Sequence, residues 1–183
     1  MKAFGLFLIV CLSSGLSFAK PSAIFLIRHG EKSDSGPELS ERGWERARAL
    51  PSLFSKPEFS KYGAPTCLIG MNKKKFDGSI RALQTLKYLS EFFHVNLTDR
   101  YNKDQGKEMV QFALTSPQCD GHLLIIAWEH TALEAVAADL GVNPEPKWPG
   151  SDIYDRVWVV EFNQEQVTMK DLPQNLLPGD SQN

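Results

Sequence analysis

Arg28-His29-Gly30 joins three residue types that together can transfer an anionic group. Arginine presents a planar fork of donors suited to phosphate or carboxylate. A neutral imidazole is a competent nucleophile near pH 7, and glycine lets backbone come close to a ligand. Arg81 stands in a second segment, Ser79-Ile80-Arg81-Ala82-Leu83-Gln84-Thr85, and Glu129-His130 in a third. Alone, the tripeptide could be a surface turn that carries two polar residues by accident; its weight comes from the segments that follow in order. Two arginines and two histidines brought together would form a strong anion pocket, and two guanidinium forks match the tetrahedral oxygens of a phosphoryl group.

The elements around these residues explain how they could meet. The apolar run Ala23-Ile24-Phe25-Leu26-Ile27, rich in β-formers, predicts a buried strand that ends at Arg28. A second strand is expected over residues 66–70 and a third over 95–97. The strongest apolar run is His122-Leu123-Leu124-Ile125-Ile126-Ala127-Trp128, just before Glu129-His130. Helical spacing predicts a helix opening at Leu39-Ser40-Glu41-Arg42-Gly43 with Ser40 as N-cap, its apolar side formed by Trp44, Ala47, Ala49 and Leu50, and its end at Pro51. A second helix is expected after Ser79 as cap, with Ile80, Leu83, Leu86, Leu89 and Phe93 on one face. Further helices are expected over 105–114 and 131–140, the latter closed by Gly141. Strands over 154–162 and 167–169 complete the pattern, joined by a turn at Asn163-Gln164-Glu165-Gln166, and the tail from Pro173 is expected on the surface. Alternating strands and helices predict an α/β fold, a three-layer α/β/α sandwich with a mainly parallel central sheet. In such sheets ligands bind beyond the carboxyl ends of the strands, where all three polar segments fall.

Residues 1–19 read as a secretory signal peptide: Lys2 at the start, an apolar stretch over 3–12, and Ser17-Phe18-Ala19 at the cleavage point. The stretch is shorter than the roughly 20 residues a spanning helix needs. The expectation is therefore a secreted or periplasmic protein, with residues 20–183 as one domain and no stable membrane insertion after cleavage. That domain has 164 residues, 19 basic and 22 acidic side chains, and a net charge of −3. This balance gives no reason to expect nucleic acid as a partner. The sequence does not fix an oligomeric state. Cys67 and Cys119 remain after cleavage; an exported protein can bridge such a pair, but with no tight spacing two buried thiols are the simpler expectation.

Taken together, Leu26-Ile27-Arg28-His29-Gly30-Glu31-Lys32, Leu39-Ser40-Glu41-Arg42-Gly43, the Ser-x-Arg-Ala-x-Gln-Thr segment at residues 79–85, and His130 after an apolar strand resemble the histidine phosphatase superfamily, the phosphoglycerate mutase-like fold. The match spans residues 24 to about 140, in the family's order. The resemblance implies hydrolysis of phosphate monoesters through a phosphohistidine. His29 would attack phosphorus, and Arg28, Arg81 and His130 would hold the phosphoryl oxygens, with Gly30 and Glu31 also at the substrate. No metal or other cofactor is implied, and the partner is a phosphomonoester, small or macromolecular. In many members the second histidine lies in Ser-His-Gly or His-Asp; here it lies in Trp128-Glu129-His130-Thr131. Two carboxylates are thus candidates to protonate the leaving group. Glu129 is first, because it flanks the pocket, although neighbours on an extended chain point opposite ways. Asp99 is second, because Leu97-Thr98-Asp99-Arg100-Tyr101 falls where a family acid often lies.

Alternatives are a phosphoglycerate-mutase-like phosphotransferase, a non-catalytic phospholigand-binding domain, and a metal site built on His29 and His130. The short chain with no long lid insertion speaks against a mutase. A binder needs no nucleophile, and two arginines at the same rim repel a cation. Lys73-Lys74-Lys75 could steer anionic substrates, though exposed lysines usually mark a solvated loop. Lys32 could attract phosphate or simply face solvent. Trp44, Trp148 and Trp158 are expected to pack, with Trp148 a candidate to border the pocket, and Trp128 to wall it.

Overall fold

The computed structural model describes residues 20–121, 123–163 and 166–181. The expected signal peptide, His122 and Gln164-Glu165 of the expected turn lie outside the described residues.

The chain forms β1 (Ala23–Arg28), α1 (Glu41–Ala49), α2 (Pro57–Ser60), β2 (Pro65–Gly70), α3 (Arg81–Phe93), β3 (Leu97–Thr98), α4 (Gly106–Thr115), β4 (Leu123–Trp128), α5 (His130–Asp139), β5 (Arg156–Phe162) and β6 (Val167–Pro173). The strands make one sheet in the order β3-β2-β4-β1-β5-β6. β1 to β4 are mutually parallel where they pair, while β5 and β6 run antiparallel. The expected three-layer, mainly parallel architecture is therefore present. Every residue of β1 and β4 is buried, which requires cover on both sheet faces. α1 packs against α3, and α4 against α5.

Local chemistry explains most boundaries. Ser40 caps α1 as expected, its hydroxyl accepting from the Gly43 N–H at 3.1 Å. After Ala49 the chain tightens into a 3₁₀ turn over Leu50–Ser55, with Pro51 near its start. Gly141 takes a left-handed φ of 98° just past α5. Ser79 is not the N-cap of α3; Ile80 holds that position. The Ser79 hydroxyl instead serves Arg81, accepting from its N–H at 3.4 Å and from its guanidinium at 3.3 Å.

Three expectations need correction. β6 runs on to Pro173, because its pairing with β5 continues from Phe162↔Val167 through Arg156↔Pro173. The tail beyond it is not wholly on the surface: Gln174 and Asp180 are buried. Cys67 and Cys119 are not reduced thiols but a disulfide, with Cα atoms 5.3 Å apart. Cys67 lies at the start of β2, and Cys119 ends the 3₁₀ turn Pro117–Cys119 that leads into β4. Because β2 and β4 are parallel neighbours, the segment entering one strand lies beside the start of the other. Sequence spacing across 52 residues carries no trace of that adjacency.

Candidate active site

The register of the sheet sets the site. Arg28 pairs with Trp128 and Gly70 with Ala127, so β1, β2 and β4 end at one level. The chain leaving β1 stays against β4 for one more residue, through the His29 N–H to Trp128 C=O bond of 3.0 Å. His29-Gly30 and Glu129-His130 thus leave adjacent strands side by side.

His29 is 5% exposed. Its Nδ1 lies 2.7 Å from the Gly30 carbonyl, an acceptor that requires Nδ1 to carry the proton and leaves the Nε2 lone pair free. Burial lowers its pKa to about 4, helped by the charges of Arg28 and Arg81 and opposed by the Gly30 bond. At neutral pH the imidazole is uncharged and nucleophilic.

The motif residues knit the segments together. The Gly30 N–H donates to Thr85 Oγ1 at 2.8 Å, and Thr85 Oγ1 donates to the Arg81 carbonyl at 2.7 Å. Gln84 Oε1 accepts from the Leu39 N–H at 2.9 Å. A Cβ on Gly30 would sit 3.0 Å from the Gly43 carbonyl, and one on Gly43 only 2.4 Å from the Glu31 carbonyl. The close approach that Gly30 permits here is thus to the start of α1.

Arg28 is 3% exposed. Its Nη1 donates to the carbonyls of Ser151 at 2.7 Å and Ile153 at 2.9 Å, and the guanidinium lies 3.8 Å from the Tyr154 ring centroid. Its Nε is buried with no hydrogen-bond partner, and among the described residues no carboxylate forms an ion pair with it. Burial pulls its pKa down, yet an arginine stays charged at neutral pH. Arg81 is anchored by the Glu38 carbonyl at 2.9 Å and the Gly36 carbonyl at 2.6 Å.

Glu129 and His130 do not diverge. Glu129 is extended and caps α5, accepting from the Thr131 N–H at 3.2 Å, while His130 is already helical. Glu129 Oε1 therefore sits 2.8 Å from His130 Nδ1, close but not aligned as a hydrogen bond. Lys103 Nζ lies 2.8 Å from Glu129 Oε2, which also accepts from the Thr131 hydroxyl. Burial pushes the Glu129 pKa up, but the bonds from Lys103 and Thr131 outweigh it and hold the carboxyl at about 2. Burial and Arg28 lower the pKa of His130. Asp99 is exposed, and its backbone carbonyl binds the Asn72 side chain at 2.7 Å.

Glu31 faces a different partner from the one expected at a substrate rim. Its carboxylate accepts from Arg46 Nη2 at 2.7 Å and lies 3.2 Å from Arg42 Nε. Arg46, 2% exposed, also binds Asp180 at 2.7 and 2.9 Å and Gln174 at 3.1 Å. The tail is thus strapped to the residue two beyond His29. Lys32 is exposed, in a bridge with Leu39. Trp128 is fully buried in the core rather than a pocket wall. Trp148 packs on Trp158 at 5.0 Å, and its Nε1 donates to the Ile153 carbonyl at 3.0 Å, steadying the loop that receives Arg28.

Sequence reasoning missed Tyr154, Lys103 and the Arg46–Asp180 brace. Tyr154 stood in the sequence only as the first residue of an expected strand, and Arg46 only as one charged residue of the expected first helix. Among the described residues, no group of three or more His, Cys, Asp or Glu side chains could hold a metal ion. No described helix is long and apolar enough to cross a membrane. A cavity of about 880 Å³ lined by residues including Phe54, Tyr88, Phe92 and Phe93 lies away from all these residues.

No protein-family model and no curated protein sequence matches the chain. Solved structures do. A protein histidine phosphatase SixA complexed with tungstate superposes with a TM-score of 0.57 at 12% identity, over 83% of this chain and 97% of that one. A phosphoserine phosphatase from Entamoeba histolytica, in complex with 3-phosphoglyceric acid, gives 0.55 at 12% identity over 85% and 99%. The product of an open reading frame from Mycobacterium tuberculosis gives 0.53 at 14% identity over 82% and 96%. At such identities the likeness is one of fold: the chain has the phosphoglycerate mutase-like fold of the histidine phosphatases.

Proposed function

We propose that the protein is an exported phosphatase that hydrolyses phosphate monoesters through a phosphohistidine on His29, without a metal. The observation that carries this reading is the state of His29: buried, uncharged at neutral pH, fixed through Nδ1 at Gly30, and near the Arg28 guanidinium, whose Nε has no hydrogen-bond partner among the described residues.

Phosphoryl transfer needs positive charge around the equatorial oxygens and an in-line nucleophile. Nε2 of His29 attacks phosphorus while the bond from phosphorus to the ester oxygen breaks. Arg28, Arg81 and His130 stabilise the charge on the phosphoryl oxygens. The departing alkoxide takes a proton from Glu129, which then removes one from the water that cleaves the nitrogen–phosphorus bond. In the resting site Glu129 is ionised, so its proton must arrive with the substrate or be taken up on binding. The negative charge of the phosphoryl group works in that direction. Asp99 is the second candidate for this role.

Export is supported by the character of residues 1–19 and by the Cys67–Cys119 disulfide, which suits an oxidising compartment. Sequencing of the exported protein is expected to begin at Lys20; a soluble cytoplasmic protein that keeps Met1 overturns export.

The test of the chemistry is acid-stability mapping. Wild-type protein given a phosphorus-labelled monoester in EDTA should yield, on rapid quench, an acid-labile phosphate at His29. His29→Ala should yield none and no turnover. Turnover near wild type in the variant, or strict need for a divalent ion, rejects the mechanism.

A further inference from the structure

α1 and α3 begin at the site and end away from it. Gly43 lies in the first turn of α1 and Arg81 opens α3, while Arg48 and residues 88–93 stand toward the other ends of the two helices. At 1.5 Å per residue, Phe93 is about 18 Å along α3 from Arg81. There the helices and the 3₁₀ turn Leu50–Ser55 border the cavity of about 880 Å³. That volume lies within the roughly 300–1,000 Å³ of pockets that take a whole small molecule.

The walls follow from the sequence of α3. Ala82, Thr85, Leu86 and Leu89 are its buried residues. Tyr88 and Phe92, four residues apart, form an aromatic stripe beside them. Phe93 meets both Phe92 and Phe54 edge-on, with ring centroids 4.9 Å apart in each pair. Trp44 supports the Tyr88 ring edge-on at 6.3 Å. Phe92 is 64% exposed. A lone exposed phenylalanine needs no explanation, but this one is the open edge of an aromatic cluster around a cavity of ligand size.

The charges at the cavity are unequal. Glu91 has a counter-ion in Lys87 at 3.9 Å. Arg48 is exposed and, among the described residues, has no carboxylate in ion-pair contact; its guanidinium lies 5.8 Å from the Tyr88 ring centroid. The hydroxyls of Ser52 and Ser55 are spent on the carbonyls of Ala49 and Ser52, both at 2.7 Å. Aromatic walls with one uncompensated cation complement an apolar molecule that carries one negative charge.

We propose that this cavity binds a single-chain amphiphile with one anionic head group, the chemistry of a fatty acid. The chain lies along Phe54, Phe92 and Phe93, and the carboxylate meets Arg48. The proposal does not depend on the phosphatase reading, because none of these residues belongs to the group around His29.

Calorimetry with decanoate below its micelle concentration, and with 1-decanol as the uncharged counterpart, tests it. Both probes should bind wild type at one site. Arg48→Gln should weaken decanoate by about three- to tenfold, between the effect of an exposed ion pair and that of a charge-assisted hydrogen bond, and leave 1-decanol unchanged. Phe92→Ser should weaken both probes at least about threefold, what roughly 30 Å² of lost apolar contact amounts to. Both side chains are exposed, so both variants should fold; equal thermal melting temperatures check this. No binding of decanoate, or binding that both variants leave intact, overturns the site. A dimer in sedimentation that Phe92→Ser dissociates, with no effect of that variant on decanoate, assigns the face to a second copy of the chain and also overturns it.

Discussion

Arg28 and Arg46 are both almost fully buried, 3% and 2% exposed, yet their surroundings are opposite. Arg46 is surrounded by Glu31, Asp180 and Gln174. Burial works against its charge, but the two carboxylates outweigh this and raise its pKa above the ordinary value. Arg28 has carbonyls and a tyrosine ring around it, an unpartnered Nε, and a lowered pKa. One charge is neutralised in place; the other is kept solvated by dipoles, with no carboxylate in ion-pair contact among the described residues and Glu129, Asp152 and Glu31 acting on it only from further away. A buried cation of the second kind is poorly suited to stability and well suited to receiving an anion. The fold thus separates a brace from a receptor within a few residues of His29.

The contrast can be broken most forcefully at the brace. Arg46→Met leaves Glu31 and Asp180 with only the more exposed Arg42 between them, and should lower unfolding free energy by about 3–5 kcal/mol. Chemical denaturation checks this, and a loss under about 1 kcal/mol would mean the brace is not what holds the tail.

Arg28→Ala should do the reverse. Its kcat/KM is expected to fall about 10²–10³-fold, with stability close to wild type because no carboxylate loses a partner. Steady-state kinetics and denaturation on one preparation measure both. Equal damage to both would erase the distinction between the two arginines.

Glu129→Gln probes the acid beside the receptor. General acid catalysis typically contributes about 10²–10⁴-fold, so alkyl phosphates should slow by at least about 10²-fold. p-Nitrophenyl phosphate, whose leaving group needs little proton help, should slow far less. A selective loss in Asp99→Asn instead would move the acid to the segment after β3.

The smallest expected effect is on pH. His29 titrates at about 4 in the fold against an ordinary 6.5, so as pH falls the unfolded chain takes up the proton first. The stability linked to a neutral His29 is full above about 6.5, declines between 6.5 and 4, and is flat below. Across that window wild type should lose on the order of 1–3 kcal/mol relative to His29→Asn. Urea melts at pH 7.5, 5.5 and 4.5 give the comparison, and parallel pH slopes for the two proteins would place the His29 proton elsewhere.

What the sequence made legible follows the same division. The residues proposed to receive the phosphoryl group lie on short segments at strand ends: Arg28-His29 after an apolar run, Arg81 after a polar loop, His130 after the most apolar strand. Such placement is local, and periodicity reveals it. Ser40 as a cap is equally local. The brace and the disulfide are not. Arg46 meets Asp180 across 134 residues and Arg28 meets Ser151 across 123; no spacing rule connects positions so far apart. Asp180 sits in a tail whose Pro, Asn and Gly content suggests surface, and its burial follows from β6 extending to Pro173. Lys103 was invisible because its partner, Glu129, comes near only once β4 and α5 are in place.

The strap from Asp180 has a consequence for timing. A chain made or threaded through a pore N-terminus first presents His29 early and Asp180 almost last. The carbonyls that receive Arg28 also arrive late, just ahead of β5. Until those final residues emerge, Arg46 has Glu31 but not Asp180, and Arg28 lacks the Ser151 and Ile153 carbonyls, so His29 has no assembled site around it. The two arginines set apart above thus share one dependence: each is completed only by the last third of the sequence.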